Sequence, residues 1–432
     1  MRDKVIRQAM DTSLRALTRV ATSDWVEERG LREPAQRLVQ AGARNGIMAA
    51  GKLMDAVKKR GPAPKPRAAQ QPFDLNPTED QQMILDMLKR VSNDLLLPMA
   101  QEADEACAPP EDVLAVGADL GLGNSAIPEA LGGGGDRSPM TTTLVAEALG
   151  RGDMGLALAL LAPVGVVNTI VDQGTDDQRA AWLPPFNADT FTPAALALME
   201  NAVMANPALP LTRARKKGSG YVLKGQKGSV PLITTARFFL VSAKLDDTVR
   251  LFRVDRSADG VTCEAAPSMG LRAADLGTLS LHEVSVEGSA LLGNDSYDHA
   301  RVLDLGRIAL CALGVGQAQA VFDYVKEYVN DREAFGEPIS HRQSVAFMVA
   351  DMAIEIESMR LLTWRAASRA AAGLDFAEQT YLAKLLCSEK AMKVGTDGVQ
   401  LLGGHGYIKD HPVERWYRHL RAVAVLEGAL SA

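Results

Sequence analysis

Cysteine is scarce in this chain: Cys107, Cys263, Cys311 and Cys387 are the only four in 432 residues, and none forms a CxxC pair. That excludes a zinc ribbon and a disulfide framework. The six histidines form no HxxxH or HExxH pair and no GxSxG occurs, so zinc-hydrolase and serine-hydrolase readings fall away. The glycine run Gly132–Gly135 has neither a strand pattern before it nor Lys-Ser/Thr after it; it reads as an exposed turn, not a phosphate loop. The longest apolar run, around Gly155–Val167, is shorter than the roughly 20 residues a membrane-spanning helix needs. The opening MRDKVIRQAM lacks the apolar core of a secretory signal. These absences fit a reducing cytoplasm. With 47% apolar and 23% charged residues, the composition is that of an ordinary globular protein, long enough for two or three structural units.

Charge is unevenly spread. Residues 1–67 carry fifteen Lys/Arg against seven Asp/Glu, a leader of +8, while the rest carries 32 against 46, or −14. The acidic body argues against nucleic acid as its partner. In the leader, Leu14, Leu17, Leu38, Met48, Leu53 and Met54 recur with helix-like spacing amid arginines, and Pro34 suits the first turn of a second helix. Two amphipathic helices over 1–60 are expected. Two roles stay open for them: a hairpin docked on the body or on another subunit, and peripheral attachment to an anionic membrane surface. The segment Gly61–Pro72 holds four prolines and reads as an extended linker over 61–75.

The body opens on Thr78-Glu-Asp-Gln81, a capping box, followed by the apolar series Met83, Leu85, Leu88, Val91, Leu95, Leu96. Helical texture over 76–186 gives way to short Val-, Leu-, Thr- and Phe-rich segments over 187–296, such as GYVLKG, RFFLVSA, VRLFRV and LSLHEVSV. Over 297–432 the helical period returns in long stretches, including Ile308–Asn330, His341–Ala372 and Phe376–Leu401. The fold class is mainly α with a central β domain, the last helices long enough for a bundle.

Two motifs carry a resemblance. REAFGEPISHRQ from Arg332 and QLLGGHGYIKDHPVERWYRHLRAVAVLEG from Gln400 resemble the acyl-CoA dehydrogenase family, whose helical domain, β-barrel or sandwich and C-terminal four-helix bundle match the body over roughly 76–432. The resemblance implies FAD bound between β unit and bundle, its adenosine end reaching a neighbouring subunit of a homodimer or homotetramer. It implies an acyl-CoA substrate and an acceptor like electron-transfer flavoprotein. Arg332 would offer a charged fork to the FAD pyrophosphate and Phe335 a face to the adenine region. Gln400, Gly403 and Gly404 resemble the second flavin segment, Arg342 and Gln343 a third. His405 belongs with the second segment, and no metal is implied.

Glu427, twenty-three residues after Gly404, matches the family's catalytic base. Removing an α-proton from a thioester needs a base beside that carbon and an acceptor for the hydride leaving the β-carbon. The apolar flanks in VAVLEGA would strip water from the carboxylate and strengthen it as a base. Asp304-Leu-Gly-Arg307 resembles the substrate-side helix start: Arg307 would orient the base, Asp304 contact CoA and Leu303 line its path. Gly428 falls on the substrate side. Ala429 stands where the family has a flavin-contacting threonine, and the tail is shortened after it.

The β unit departs from the family. Met199-Glu200-Asn201-Ala202 stands for Thr-Glu-Pro-x, and Lys227-Gly228-Ser229-Val230-Pro231 for Lys-x-Trp-Ile-Thr. Pro231 cannot donate a main-chain N–H. The missing indole admits a bulkier acyl group or weakens FAD binding, and both readings stay open. The expected activity is α,β-dehydrogenation of an acyl-CoA, with an oxidase and a non-catalytic partner subunit as alternatives.

Overall fold

The computed structural model describes residues 76–188, 190–202, 205–427, 430 and 432. The helices expected over 1–60 and the linker over 61–75 lie outside these residues, as do Gly428 and Ala429.

Helix α1 (Glu79–Val91) starts on the expected box: Gln81 N donates to Thr78 Oγ1 at 3.2 Å and Thr78 N to Gln81 Oε1 at 3.0 Å. Its apolar series is not all core. Leu88 is buried but Met83 is 72% exposed. After a π turn, Ser92–Leu96, come α2 (Leu97–Ala106), α3 (Glu111–Asp119), α4 (Pro139–Gly152), α5 (Met154–Gln173) and α6 (Asp176–Trp182). Asp153 caps α5, Oδ1 accepting from Gly155 N at 2.9 Å and Leu156 N at 3.1 Å, which satisfies two of the helix's free first-turn donors.

The run around Gly155–Val167 therefore lies in a helix of 20 residues, not in a segment too short to span a bilayer. By length and hydropathy α5 and α7 (His299–Asp331) could each cross a membrane, yet 94% and 78% of their apolar windows are buried inside the fold. They are core helices. Where α4 crosses α7, a Cβ on Gly316 would stand 2.0 Å from Glu147 O and one on Gly150 2.6 Å from Leu313 O. Only bare backbone permits that approach.

The β unit comprises β1 (Ala194–Ala197), β2 (Arg213–Lys217), β3 (Gly220–Val230), β4 (Phe238–Leu245), β5 (Thr248–Asp255), β6 (Val261–Ala265) and β7 (Gly277–Val286). They form one seven-stranded sheet, ordered β1-β4-β2-β3-β7-β6 with β5 also on β4. Strands β1 and β2 both run parallel to β4, β1 along Phe238–Val241 and β2 along Lys244 and Leu245. Just past β1, Met199 O accepts from Gly228 N of β3 at 3.1 Å, and just before β2, Thr212 O accepts from Lys244 N of β4 at 2.8 Å.

The remaining elements are the two-stranded β8 (Glu333–Ala334) and β9 (Glu337–Pro338), α8 (Gln343–Ala371), α9 (Ala377–Leu402), a 3-10 turn Gly403–Tyr407 and α10 (Val413–Val425). Apolar faces of α4, α5 and α7–α10 share one core that includes Leu313, Val321, Met359, Val394 and Leu420.

Candidate active site

Glu427 lies two residues past the end of α10, after the capping Leu426. Its carboxylate Oε2 accepts from Arg307 Nε at 2.8 Å, and Arg307 Nη1 also donates to Asp304 Oδ1 at 2.9 Å. The local Asp304–Arg307 pair and the longer-range one to Glu427 thus coexist. Lys384 Nζ, from α9, lies 3.6 Å from Glu427 Oε1. The expectation of apolar walls is corrected here. Val423 and Leu426 are buried, but they point into the core, and two cations face the carboxylate. Burial pushes the Asp304 carboxyl above its usual range, with Glu427 and Asp298 adding to the rise and Arg307 opposing it. Glu427 N donates to Met199 Sδ at 2.9 Å, which ties the chain just after β1 to Glu427.

Leu303 is 2% exposed and packs with Ile170, Trp182 and Phe186. It is a core residue rather than the wall of an open path.

The segments that the resemblance assigns to flavin gather at the other end of α7. Arg332 caps that helix and, with Tyr324, Glu327, Tyr328, Asp331, His405 and His411, lines a cavity of about 360 Å³. Tyr328 Oη pairs with His405 Nδ1 at 2.8 Å, joining the turn after α9 to α7. The Arg342 guanidinium lies 5.5 Å from the Phe335 ring centre, and Gln343 opens α8 beside it. Phe335 is 96% exposed and so is presented outward. Gly403 adopts φ 58° and ψ −130°, a conformation reserved for glycine, while a Cβ on Gly403 or Gly404 would meet nothing within 4 Å. The backbone is bare where no neighbour demands it. Together with Arg332, that suits a phosphate-bearing group approaching from outside. Gln400, on the last turn of α9, stands beside it.

The altered β motifs form a charged core. Lys227 is fully buried, its Nζ 2.9 Å from Glu200 Oε1 and 3.0 Å from Ser242 Oγ. Burial pulls the Lys227 ammonium down to about 8, against the pull of Glu200. Burial pushes the Glu200 carboxyl up, but Thr212 and Lys227 outweigh that and leave it below its ordinary value. Beside this pair, Asn201 Nδ2 donates to Thr278 Oγ1 at 2.9 Å, and a Cβ on Gly228 would stand 1.7 Å from Asn201 Oδ1. The bare backbone at Gly228 thus makes room for the Asn201 side chain. Gly228→Ala is expected to cost about 1 kcal/mol, because the exposed Asn201 side chain must turn away and give up its bond to Thr278, and that cost should vanish where Asn201→Ala is already in place. Chemical unfolding of the four proteins checks this; additive losses would show that the two positions are independent.

Among the described residues no cluster of three or more His, Cys, Asp and Glu could hold a metal ion. Sequence reasoning missed Lys384, the contact of Met199 with Glu427 and the cavity residues Tyr324, Tyr328 and His411. Only Lys384 left a signal, a lone charge in the apolar run YLAKLL.

Models of the acyl-CoA dehydrogenase N-terminal, middle and C-terminal domains match residues 78–189, 195–284 and 297–430. The chain belongs to the acyl-CoA dehydrogenase family. It is similar to the cyclohex-1-ene-1-carbonyl-CoA dehydrogenase of Geobacter metallireducens, 33% identical over 362 residues that cover 81% of this chain and 95% of that enzyme. To the mitochondrial short-chain specific acyl-CoA dehydrogenase of Rattus norvegicus it is 30% identical, covering 81% and 87%. Among solved structures, butyryl-CoA dehydrogenase of Megasphaera elsdenii superposes with a TM-score of 0.76 at 28% identity, covering 83% of this chain and 96% of that one. Family membership makes this chain a flavoprotein oxidoreductase acting on the CH–CH group, with FAD as cofactor.

Proposed function

We propose that this acyl-CoA dehydrogenase converts an acyl-CoA thioester to its trans-2-enoyl-CoA, with Glu427 as the base that takes the α-proton. The observation that carries the reading is the fixed carboxylate: Arg307 at 2.8 Å on one oxygen, Lys384 at 3.6 Å from the other, and Asp304 holding Arg307 from behind. A base fixed in this way meets the α-carbon in one geometry, which is where orientation lowers the barrier. When bound, FAD supplies the acceptor for the hydride leaving the β-carbon. Arg332, Phe335, Arg342, Gln343, Gln400, Gly403 and Gly404 would hold its pyrophosphate and adenosine end, and Ala429 would lie near the ring. The outward Phe335 supports a shared site in which a second copy contributes to each FAD, hence a homodimer or homotetramer. Asp304 and Gly428 would meet the substrate. An acceptor like electron-transfer flavoprotein would then reoxidise the flavin.

The named relatives act on short and cyclic acyl groups, which directs the test. Purified protein supplied with FAD is titrated with a panel of straight, branched and cyclic acyl-CoAs, and loss of the oxidised flavin absorbance is followed. Bleaching by at least one short or cyclic substrate is expected. Peroxide release on reoxidation in air, at a rate matching turnover, would identify an oxidase.

One observation favours a second reading, a partner subunit that keeps the fold but holds flavin weakly. Met199, Asn201, Ser229 and Pro231 stand where the family resemblance places ring-contacting groups. A preparation that stays colourless after FAD is added would select it.

A further inference from the structure

Lys384 has no assigned role, yet every donor on it is directed at the segment that carries the base. An ammonium has three N–H donors. One reaches Val423 O at 2.7 Å and another Leu426 O at 2.8 Å, carbonyls at the end of α10 that have no partner within the helix. The third faces Glu427 Oε1 at 3.6 Å. The side chain is only 12% exposed, so these contacts are poorly replaced by water.

We infer that Lys384 is a positioning residue for proton abstraction, acting through the main chain that leads into Glu427; this rests on Glu427 being the base. The unequal distances define the role. The two short bonds hold backbone: Leu426 is the residue immediately before Glu427, so fixing its carbonyl fixes where the next side chain begins. The longer approach to the carboxylate is an electrostatic contact, not a hydrogen bond at ordinary length. Glu427 can therefore accept a proton without first breaking a bond to Lys384, and both main-chain bonds persist through the cycle. Arg307 from α7 restrains the opposite oxygen, so the base is slung between two helices that share one core. A reacting group displaced by about 1 Å loses on the order of a hundredfold in rate, which sets the scale of what such a tether protects.

The test uses full-length protein with FAD and the best acyl-CoA of the panel, in protonated and α-deuterated form. Lys384→Met removes all three donors. Lys384→Gln keeps one donor for the carbonyls but no charge, and serves if the methionine variant does not fold. Lys384→Arg keeps charge and several donors. The expected result is a tenfold or greater fall in kcat for Met or Gln, KM within about twofold of the wild type, and a larger α-deuterium isotope effect, because proton removal becomes slower relative to other steps. The arginine variant should recover most of kcat. Wild-type kcat in the Met and Gln variants, or a fall with an unchanged isotope effect and parallel loss of bound FAD, would overturn the inference and leave Lys384 a stabilising cap. Glu427→Gln, run alongside, separates the two levels. If that variant is fully active the base itself is misassigned; if it is inactive while Lys384→Gln is normal, only the tether is wrong.

Discussion

Glu427→Gln is expected to lower substrate-dependent flavin reduction by roughly a hundred- to ten-thousand-fold, the range general bases contribute, while fold and FAD content stay as in the wild type. The substitution is nearly isosteric. The amide oxygen can still accept from Arg307 Nε, now 2.8 Å from the carboxylate, so Arg307 and its partner Asp304 keep their arrangement. What the amide cannot do is take up a proton at the pH of the reaction. Stopped-flow bleaching of the oxidised flavin under single-turnover conditions measures the step directly, without interference from product release. Bleaching at the wild-type rate would place the base elsewhere and remove the foundation of the proposed mechanism.

The long helices were legible because their apolar residues recur every three to four positions over many turns, as in α7, α8 and α9. Strands β3, β4, β5 and β7 showed in their Val, Leu and Phe content. Three strands did not show, and each has a physical reason. β1 reads AALA and is buried throughout, so space rather than β propensity selects its residues. β2, RARKK, has four exposed positions; it is a strand because β3 and β4 offer it hydrogen bonds. β6, VTCEA, is likewise a mostly exposed strand beside β7.

For the candidate site, the family motifs pointed to Glu427, Arg307 and Arg332, but not to their surroundings. Apolar neighbours along VAVLEGA suggested a dry carboxylate. In the structure Val423 and Leu426 turn inward and Val425 faces out, 52% exposed, while the carboxylate meets Arg307 and Lys384, two residues from other helices. Sequence adjacency is a poor guide to what a side chain touches at a helix end. The same limit hid the contact of Met199 with Glu427, whose sulfur and main-chain N–H, respectively, meet across 228 positions of sequence.

That inward side of α10 also carries the second large effect, at Asp153. His419 Nδ1 accepts from Leu271 N at 2.9 Å, so the proton sits on Nε2, which donates to Asp153 Oδ2 at 3.2 Å. Arg415 Nε also donates to Asp153 Oδ2, at 3.2 Å, and all three side chains are 3% exposed or less. One carboxylate thus balances a buried guanidinium, fixes an imidazole and caps α5. Asp153→Asn isolates the charge: the amide oxygen can still cap Gly155 and Leu156, but its NH₂ cannot accept from Arg415 or His419. With Gln101 Oε1 as its remaining partner, Arg415 is left as an uncompensated buried cation, a loss of about 3–5 kcal/mol against a total stability of roughly 5–15 kcal/mol. Chemical unfolding at neutral pH should show it. The pH dependence supplies an independent sign. Burial pushes the Asp153 carboxyl up, but His419 and Arg415 outweigh it and hold it at about 2, below the ordinary 3.8. A carboxyl depressed on folding stabilises fully above its unfolded value and loses that contribution as pH falls through the folded one. The wild type should therefore lose about 2 kcal/mol of its advantage over the asparagine variant between pH 4 and 2, and the two stability curves should draw together at acid pH. Parallel curves would mean that the charge on Asp153 does not hold α10 in place.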